Sequence, residues 1–252
     1  YSRQDSQGRI MKNNRIVLDA ISSDPKALHD QAGTTGRMLI TALDKAVAVQ
    51  TSVVEKYIDH LREKNPNAST ADLQHMLDNH FMDLATGTGA SVGLTSALPG
   101  IGLMTGLAAV STESMVFVDA AAFYTIASAH LRGVDIRDSE RRRALILVTL
   151  IGSAGTALVD AAIGDLGKQY AQAQQKTTAA TALSRFGMAR VKELNGRLLS
   201  LATKRLGKSV RNAWLGKLMP LGIGAVIGTV ANRKLAKSVI ANAQESLGPL
   251  VN

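Results

Sequence analysis

An uncharged stretch of 29 residues lies between Asp83 and Glu113, and six of those residues are glycine. It is long enough to cross a bilayer, because a membrane-spanning helix needs about 20 mostly apolar residues. However, Pro99 and Gly100 interrupt it, and serines and threonines are scattered through it. The stretch therefore predicts a tightly packed helical hairpin that turns at Pro99-Gly100, at the centre of an all-α domain.

Small residues in this stretch recur at intervals typical of close helix contacts. Gly89, Gly93 and Ala97 are four positions apart, so they share one helix face on which a second helix can approach closely. A second run with a proline and several glycines follows near the C-terminus. The expected helix-packing residues are Gly89, Gly93, Gly100, Gly102, Gly222, Gly224 and Gly228. Both a protein core and a lipid environment favour such residues, so insertion and internal packing remain alternatives.

Composition favours a compact multi-helix domain with a buried Gly/Ala-rich helical hairpin. Hydrophobic residues make up 46% of the chain but aromatic residues only 4%, so the apolar side chains are mostly aliphatic and suit close helix packing. No alternating strand pattern is present. The chain has no cysteine, which excludes disulfides and thiolate catalysis and fits a reducing compartment. The first 15 residues are polar and basic and show no leader segment, so we expect a cytoplasmic location.

The chain divides into four segments. Residues 1–25 form a polar lead-in, and 26–168 form a helical core that contains the glycine-rich hairpin. Residues 169–181 read as a polar linker or weak helix. Residues 182–252 are expected to form basic amphipathic helices that pack on the core.

Helix ends in the core are marked by capping residues. Ser69 with Asp72 predicts the start of one helix, and Gly133 predicts the end of a buried central helix over 101–131. Asp138 predicts the start of the next helix. The apolar run 144–164 is expected to continue it as one element.

The excess positive charge lies in the last quarter of the chain. From Arg185 onward there are 12 Lys and Arg and 2 Asp and Glu, whereas the remaining residues hold 17 and 18. Such a concentration of charge indicates an anionic partner. The expected anion-binding residues are Lys192, Arg197, Lys204, Arg205, Lys208 and Arg211.

These cations fall in a basic amphipathic helix, or a broken pair of helices, over 182–215. Its apolar stripe consists of Val191, Leu194, Leu198, Leu201 and Ala202. Several cations near an anionic bilayer, each contributing about 1 kcal/mol, together with this stripe, Phe186 and Trp214, predict peripheral membrane binding. The alternative is an ordinary solvated face. Nucleic acid is disfavoured, because aromatics suited to base stacking are nearly absent.

Three carboxylates lie within apolar runs: Glu113, Asp119 and Asp160, of which Asp160 closes the apolar run that begins at 144. They are weak catalytic candidates, because a buried carboxylate is costly unless it is paired, hydrogen-bonded or protonated. A structural role, such as capping a helix or pairing with an arginine of the 141–143 cluster, is the favoured alternative. No catalytic motif occurs.

No metal site or cofactor is expected. His75 and His80 lie near several aspartates, but they are five residues apart and so do not share a helix face. A solvated helix face explains them more simply. His60 and His130 lie at predicted helix ends, where a cation suits the helix dipole.

Two blocks, over about 85–160 and 218–245, resemble the EcsC family of bacterial proteins, which is named from an operon that also encodes an ABC transporter. The residues that carry the resemblance are the glycine-rich run, Pro99, Gly100, Asp119, Gly133, Asp135, Glu140, Pro220, Gly222, Gly224, Gly228 and Asn232. The chain departs from the family pattern in having His130-Leu131-Arg132 before Gly133, where a tyrosine is expected. The resemblance implies an all-α, membrane-associated protein without an established reaction, and it supplies no catalytic residue.

The sequence therefore predicts a non-enzymatic protein at the inner membrane face, peripheral or partly inserted. It would bind anionic lipid or a membrane protein through the basic surface, and the glycine faces also suit self-association. Two alternatives are a soluble protein that holds a lipid or acyl chain among its helices, and a hydrolase whose site gathers Glu113, Asp119 and Asp160.

Overall fold

The structure is a computed structural model that describes residues 43, 44, 47, 51–86, 113–164, 178–217 and 223–250. The side chains of 113–116, 204–217 and 223–232 are not described. Within these ranges the chain forms eight helices and no strand, which confirms the all-α prediction. They are α1 (Thr51–Lys64), α2 (Thr70–Thr86), α3 (Glu113–Leu131), α4 (Ser139–Ile151), α5 (Ser153–Gly164), α6 (Ala179–Arg185), α7 (Met188–Lys217) and α8 (Ile223–Leu247).

The glycine-rich hairpin predicted between Asp83 and Glu113 falls almost wholly outside the described residues. So do Gly89, Gly93, Gly100, Gly102 and Gly222, whereas Gly224 and Gly228 lie in the first turns of α8.

The centre of the described fold is α4, which packs against α3, α5, α6, α7 and α8. Residues 144–149 are all buried, on every side of the helix. A helix that is apolar all round is stable only inside a core. The other helix surrounded by neighbours is α3, which packs against α1, α2, α4 and α8. The two together form the framework on which the outer helices lie.

The predicted helix caps around α2 and α3 are confirmed. At the start of α2, the Ser69 amide and hydroxyl donate to the Asp72 carboxylate, and the Asp72 amide donates back to Ser69 Oγ at 3.2 Å. At the end of α3, Gly133 has φ +69°, and the amides of Gly133 and Val134 donate to the carbonyls of His130 and Ala129. This is the Schellman arrangement, in which a left-handed residue ends the helix.

The start of α4 is confirmed as well, since the Asp138 side chain accepts from the Arg141 amide at 2.8 Å. The expectation of one helix through 144–164 is wrong. Gly152, with φ +71°, ends α4, and α5 begins at Ser153. Asp160 therefore lies inside α5 and does not close a helix. Only glycine adopts this backbone conformation readily, which is why the apolar run changes direction there.

The basic amphipathic region is a broken pair of helices. The first, α6, is capped by Thr178 and begins at Ala179, in the last residues of the polar segment 169–181. Phe186 and Gly187 separate it from α7. Arg141 donates to the Ser184 carbonyl at 3.4 Å near the end of α6, which ties this corner to α4.

The last helix, α8, packs against α2, α3, α4 and α6. Ala236, Val239 and Ala243 are buried. Leu235 is 40% exposed, because it lies outside the arc of these three residues that faces the core.

Candidate functional site

The apolar stripe of α7 is part of the protein core. Val191, Leu194, Leu198, Leu201 and Ala202 are all 0 to 3% exposed, and α7 packs most extensively against α4. Phe186, which precedes α7, is 3% exposed as well. The expectation that this stripe and Phe186 help to enter a membrane therefore fails for the described part of α7, since the same side chains already complete the core.

The cations of α7 differ in what they contact. Lys192 is exposed, whereas Arg197 forms an ion pair of 2.6 Å with Glu193 one turn earlier. Arg190 donates to the Ala162 carbonyl at 2.7 Å, in the last turn of α5, and stacks on the Phe186 ring at 5.7 Å. Lys204, Arg205, Lys208 and Arg211 lie in the later turns of α7, where the structure describes the backbone only.

A regular spacing links these cations along the helix. Arg190, Arg197, Lys204 and Arg211 occur at every seventh position, and seven residues are close to two helical turns. Their positions therefore follow one side of α7 over 21 residues, which is about 31 Å at the usual helical rise. The helix carries eight Lys and Arg and a single acidic residue, Glu193. The positions along this side of α7 are consequently occupied by basic residues at regular intervals.

A pocket lies between α5 and α7 beside Arg190 and Arg197. Its volume is about 30 Å³. That is the space of about one water molecule, far below the several hundred Å³ of a typical small-ligand site. Its lining residues are Leu158, Ala161, Ala162, Arg190, Glu193, Leu194 and Arg197. The pocket does not hold an acyl chain.

A second cationic cluster, missed in the sequence, lies on the outer side of α8. Arg233, Lys234 and Lys237 are exposed, and so are Leu235 and Ser238 between and beside them. Among the described residues, no carboxylate lies within ion-pair distance of these three cations. The run R-K-x-x-K in an amphipathic helix was the available signal. This run is less prominent in the sequence than the denser basic charge of α7.

The three candidate carboxylates are spread over the fold. Glu113 is the first residue of α3, where an acidic residue suits the positive end of the helix dipole. Asp119 is partly buried on α3, and Asp160 is on α5. Partial burial raises the pKa of the Asp160 carboxyl, although much of the residue remains exposed. Of these helices, α3 packs against α1, α2, α4 and α8, whereas α5 packs against α4, α6 and α7.

The arginines considered as partners for these acids contact other groups. Arg142 donates to the carbonyls of Ile136, Arg137 and Val47 at 2.8 to 3.0 Å. Arg143 pairs with Asp44. Both interactions hold the start of α4 in place, so this cluster serves the fold.

A buried polar network joins α2, α3 and the end of α8. Arg132 is 7% exposed and donates to Gln74 Oε1 at 2.6 Å, to Ser128 Oγ at 2.6 Å, to the Ser128 carbonyl at 2.9 Å and to the Gly248 carbonyl at 2.7 Å. Tyr124 donates to Asp78 Oδ1 at 2.7 Å, and Gln74 donates to the same oxygen.

Burial changes the proton affinities within this network. It lowers the pKa of the Arg132 guanidinium, an effect that Tyr124 and Asp78 oppose. Burial, reinforced by the Asp78 charge, raises the pKa of the Tyr124 hydroxyl. The Tyr124 hydroxyl therefore stays protonated and donates to Asp78, and Arg132 keeps four acceptors, which is the behaviour of a structural link.

The two histidines of α2 have different surroundings. His75 is exposed, whereas His80 is half-buried and its Nδ1 lies 2.7 Å from the Tyr57 hydroxyl on α1. Burial lowers the pKa of His80, which favours the neutral form of the ring beside the Tyr57 hydroxyl. Among the residues that the structure describes, no group of three or more possible metal ligands is found. His80 thus belongs to the α1–α2 contact and not to a solvated face.

In the part of the chain that the structure describes, no helix combines the length and the hydropathy that a bilayer crossing needs. Comparisons of the chain with protein-family models, with curated proteins and with solved structures find no match.

Proposed function

We propose that the protein associates peripherally with anionic membrane surfaces through the cations of its C-terminal quarter, without catalysing a reaction. The observation that carries this proposal is the segregation of charge. The segment from Arg185 onward has 12 basic and 2 acidic residues, whereas the rest of the chain is close to neutral. A field of that kind attracts and orients the protein at a negatively charged surface.

The burial of the α7 stripe specifies how such binding would work. Because Val191, Leu194 and Leu198 pack on α4, the described half of α7 offers cations and little apolar area. Attraction to anionic lipid contributes about 1 kcal/mol for each Lys or Arg near the surface, and it decays within a Debye length of about 8 Å at physiological salt. Binding through α7 is therefore electrostatic and is weakened by salt.

The EcsC resemblance supports the same proposal, since it implies an all-α, membrane-associated bacterial protein. A membrane protein with an acidic surface, or a second copy of the chain, are the other partners that this charge would accept. Nucleic acid is disfavoured, because the chain has only one tryptophan, four tyrosines and four phenylalanines to stack on bases.

Vesicle co-sedimentation tests the proposal. We expect the protein to pellet with vesicles of phosphatidylglycerol and phosphatidylcholine but not with phosphatidylcholine alone, and to be released between about 0.1 M and about 0.5 M salt. The reversal Lys204→Glu with Lys208→Glu should reduce pelleting strongly. The matched control is Lys56→Glu with Arg137→Glu, which makes the same change in net charge at exposed positions outside the C-terminal quarter.

Two results would contradict the proposal. Equal pelleting with neutral and anionic vesicles would exclude an electrostatic mechanism. Equal losses in the two charge-reversal variants would show that net charge alone matters, and that the position of the cations in the last quarter is irrelevant.

A further inference from the structure

Helix α7 is more than twice as long as α4, the helix on which it packs. It has 30 residues and is about 45 Å long at the usual helical rise, whereas α4 has 13 residues and is about 20 Å long. The buried stripe ends at Ala202, halfway along α7. The helix therefore has a first half, residues 188–202, that packs on α4, and a second half, residues 203–217, that continues beyond the stripe.

The buried stripe does not continue into the second half. Seven residues are close to two turns, so a position seven further along lies on nearly the same side of the helix. Seven positions after Leu198 and Leu201 are Arg205 and Lys208, and Asn212 is another seven after Arg205. Burying cations in an apolar core without partners is costly. The side of α7 that packs on α4 in the first half is therefore unsuited to extending that contact in the second half.

A second apolar stripe follows the opposite side of the second half. At 100° per residue, Leu206, Val210 and Trp214 lie about 160°, 200° and 240° around the axis from Lys208. The three positions therefore share an arc of about 80° that is centred opposite the cation.

The described first half shows that this arc begins on an open side of the helix. Met188 and Lys192 are both exposed, and they precede Leu206 and Val210 by 18 positions, or five full turns. The side that is open to solvent in the first half thus becomes apolar in the second, while the side that is buried becomes basic.

The charge of the second half indicates what its apolar side meets. It carries five cations and no acidic residue, since Glu193 is the only acid on α7. The cations are Lys204, Arg205, Lys208, Arg211 and Lys217. An anionic lipid surface offers phosphates for them together with an apolar interior. The uncharged residues 84–112 would offer apolar contact but no counter-charge.

We propose that the second half of α7 lies in the surface of an anionic bilayer, with Leu206, Val210 and Trp214 at the boundary between head groups and acyl chains. Helices with a basic side and an apolar side that contains tryptophan bind membranes in this way. This inference rests on the proposed function, in which the cations attract the protein to the surface. The second stripe adds the apolar contact that the first half of α7 lacks.

The positions of the cations fit this arrangement. Lys204 and Arg211 border the apolar arc on the Trp214 side, within about 80° of it, and so lie at the level of the lipid phosphates. Lys217, the last residue of α7, is on the apolar side, where its aliphatic stem allows the charge to reach the head groups.

Trp214 gives a direct test on the wild-type protein, because it is the only tryptophan of the chain. Acrylamide should quench its emission in the free protein. Vesicles of phosphatidylglycerol and phosphatidylcholine should shift the emission to shorter wavelength and protect it from acrylamide, and lipids brominated in their acyl chains should quench it. Phosphatidylcholine alone should change nothing.

Two results of this experiment would overturn the inference. Emission that is protected from acrylamide before vesicles are added, and that vesicles leave unchanged, would show that the protein itself covers this side of α7. Pelleting with anionic vesicles without any change in the Trp214 emission would show that another part of the protein makes the contact.

A matched pair of substitutions completes the test. Leu206 and Leu215 are nine positions apart and therefore lie on opposite sides of α7. Leu206→Ser should weaken partitioning into anionic vesicles about fivefold, which corresponds to about 1 kcal/mol, because a leucine at the boundary gains only part of its full transfer free energy. Leu215→Ser should stay within about twofold of wild type. Equal losses in two variants that circular dichroism shows to be folded contradict the inference, and if either is unfolded the Trp214 emission decides.

The two proposals fail in different ways. If wild type does not pellet with anionic vesicles, both are refuted. If pelleting is lost in Lys204→Glu with Lys208→Glu but the Trp214 emission of wild type does not respond to vesicles, membrane association stands and the role of the second stripe is refuted.

Discussion

Replacing Arg132 with methionine should lower the free energy of unfolding much more than a surface substitution does. Methionine retains most of the aliphatic length but makes none of the four hydrogen bonds of the guanidinium group. The Gly248 carbonyl then loses its Arg132 partner, and Gln74 Oε1 keeps only Ser128. The link between α3 and the end of α8 is removed with them.

The size of the effect follows from these acceptors. Each hydrogen bond from a charged donor contributes about 1.5 to 3 kcal/mol, and removing one partner of a buried group adds its desolvation cost. The energies of the four bonds of one side chain do not add, so we count only the two acceptors outside α3, the Gly248 carbonyl and Gln74 Oε1. Loss of their charged donor should lower the free energy of unfolding by about 3 to 5 kcal/mol. At about 2 to 4 °C per kcal/mol for a chain of this size, the midpoint of thermal unfolding should fall by about 6 to 20 °C.

Urea unfolding followed by circular dichroism measures this free energy without adding salt. The matched control is Arg62→Met, because Arg62 is 51% exposed and lies 3.6 Å from Asp59 in a surface ion pair. That substitution should stay within about 0.5 kcal/mol of wild type. If Arg132→Met is also within about 1 kcal/mol, the network is not a structural link and the reasoning from burial is refuted.

Two further predictions concern α4, α5 and the α1–α2 contact. Gly152→Ala should lower the free energy of unfolding in urea by about 2 to 3 kcal/mol, because φ is +71° and a Cβ atom would lie 2.7 Å from Asn242 Oδ1. The control is Gly187→Ala, which has open space around it and should be neutral. Equal effects of the two substitutions would contradict this prediction. Burial lowers the pKa of His80 in the folded protein, so below about pH 6.5 the histidine is protonated more readily in the unfolded chain than in the folded one. The free energy of unfolding should therefore decrease as the pH falls below that value. In His80→Gln this part of the pH dependence should disappear. The measurement is the free energy of unfolding in urea at several pH values, and the same dependence on pH in the variant and in wild type would refute the prediction.

Local signals in the sequence predicted helix ends well. Ser69 with Asp72, Gly133 and Asp138 cap their helices as expected, because a cap depends on residues within a few positions of one another. The apolar stripe of α7 was also identified by its period. Gly152 was missed as a break, since a glycine within an apolar run is compatible with a continuous helix and its left-handed backbone is visible only in the structure.

Contacts between distant segments could not be inferred from the chain alone. Arg132 and Gly248 are 116 residues apart, and Gln74 and Arg132 are 58 apart. No periodicity connects such positions. The same limit applies to α7, where sequence reasoning found the cations and the stripe but could not say whether the stripe faces lipid or α4. The cationic cluster of Arg233, Lys234 and Lys237 on α8 was overlooked for a related reason, because a cation is functionally informative only once its lack of an acidic neighbour is known.

The position of α4 has a consequence for how the chain is synthesised. Its buried residues are covered by α7 and α8, which end at Lys217 and Leu247, whereas α4 itself ends at Ile151. A ribosome adds about 5 to 20 residues each second, so the remaining 96 residues take roughly 5 to 20 seconds. Until α7 and then α8 have been added, the nascent polypeptide carries part of this aliphatic segment uncovered. It should therefore depend on chaperones that hold such segments during translation more than on any assistance after release.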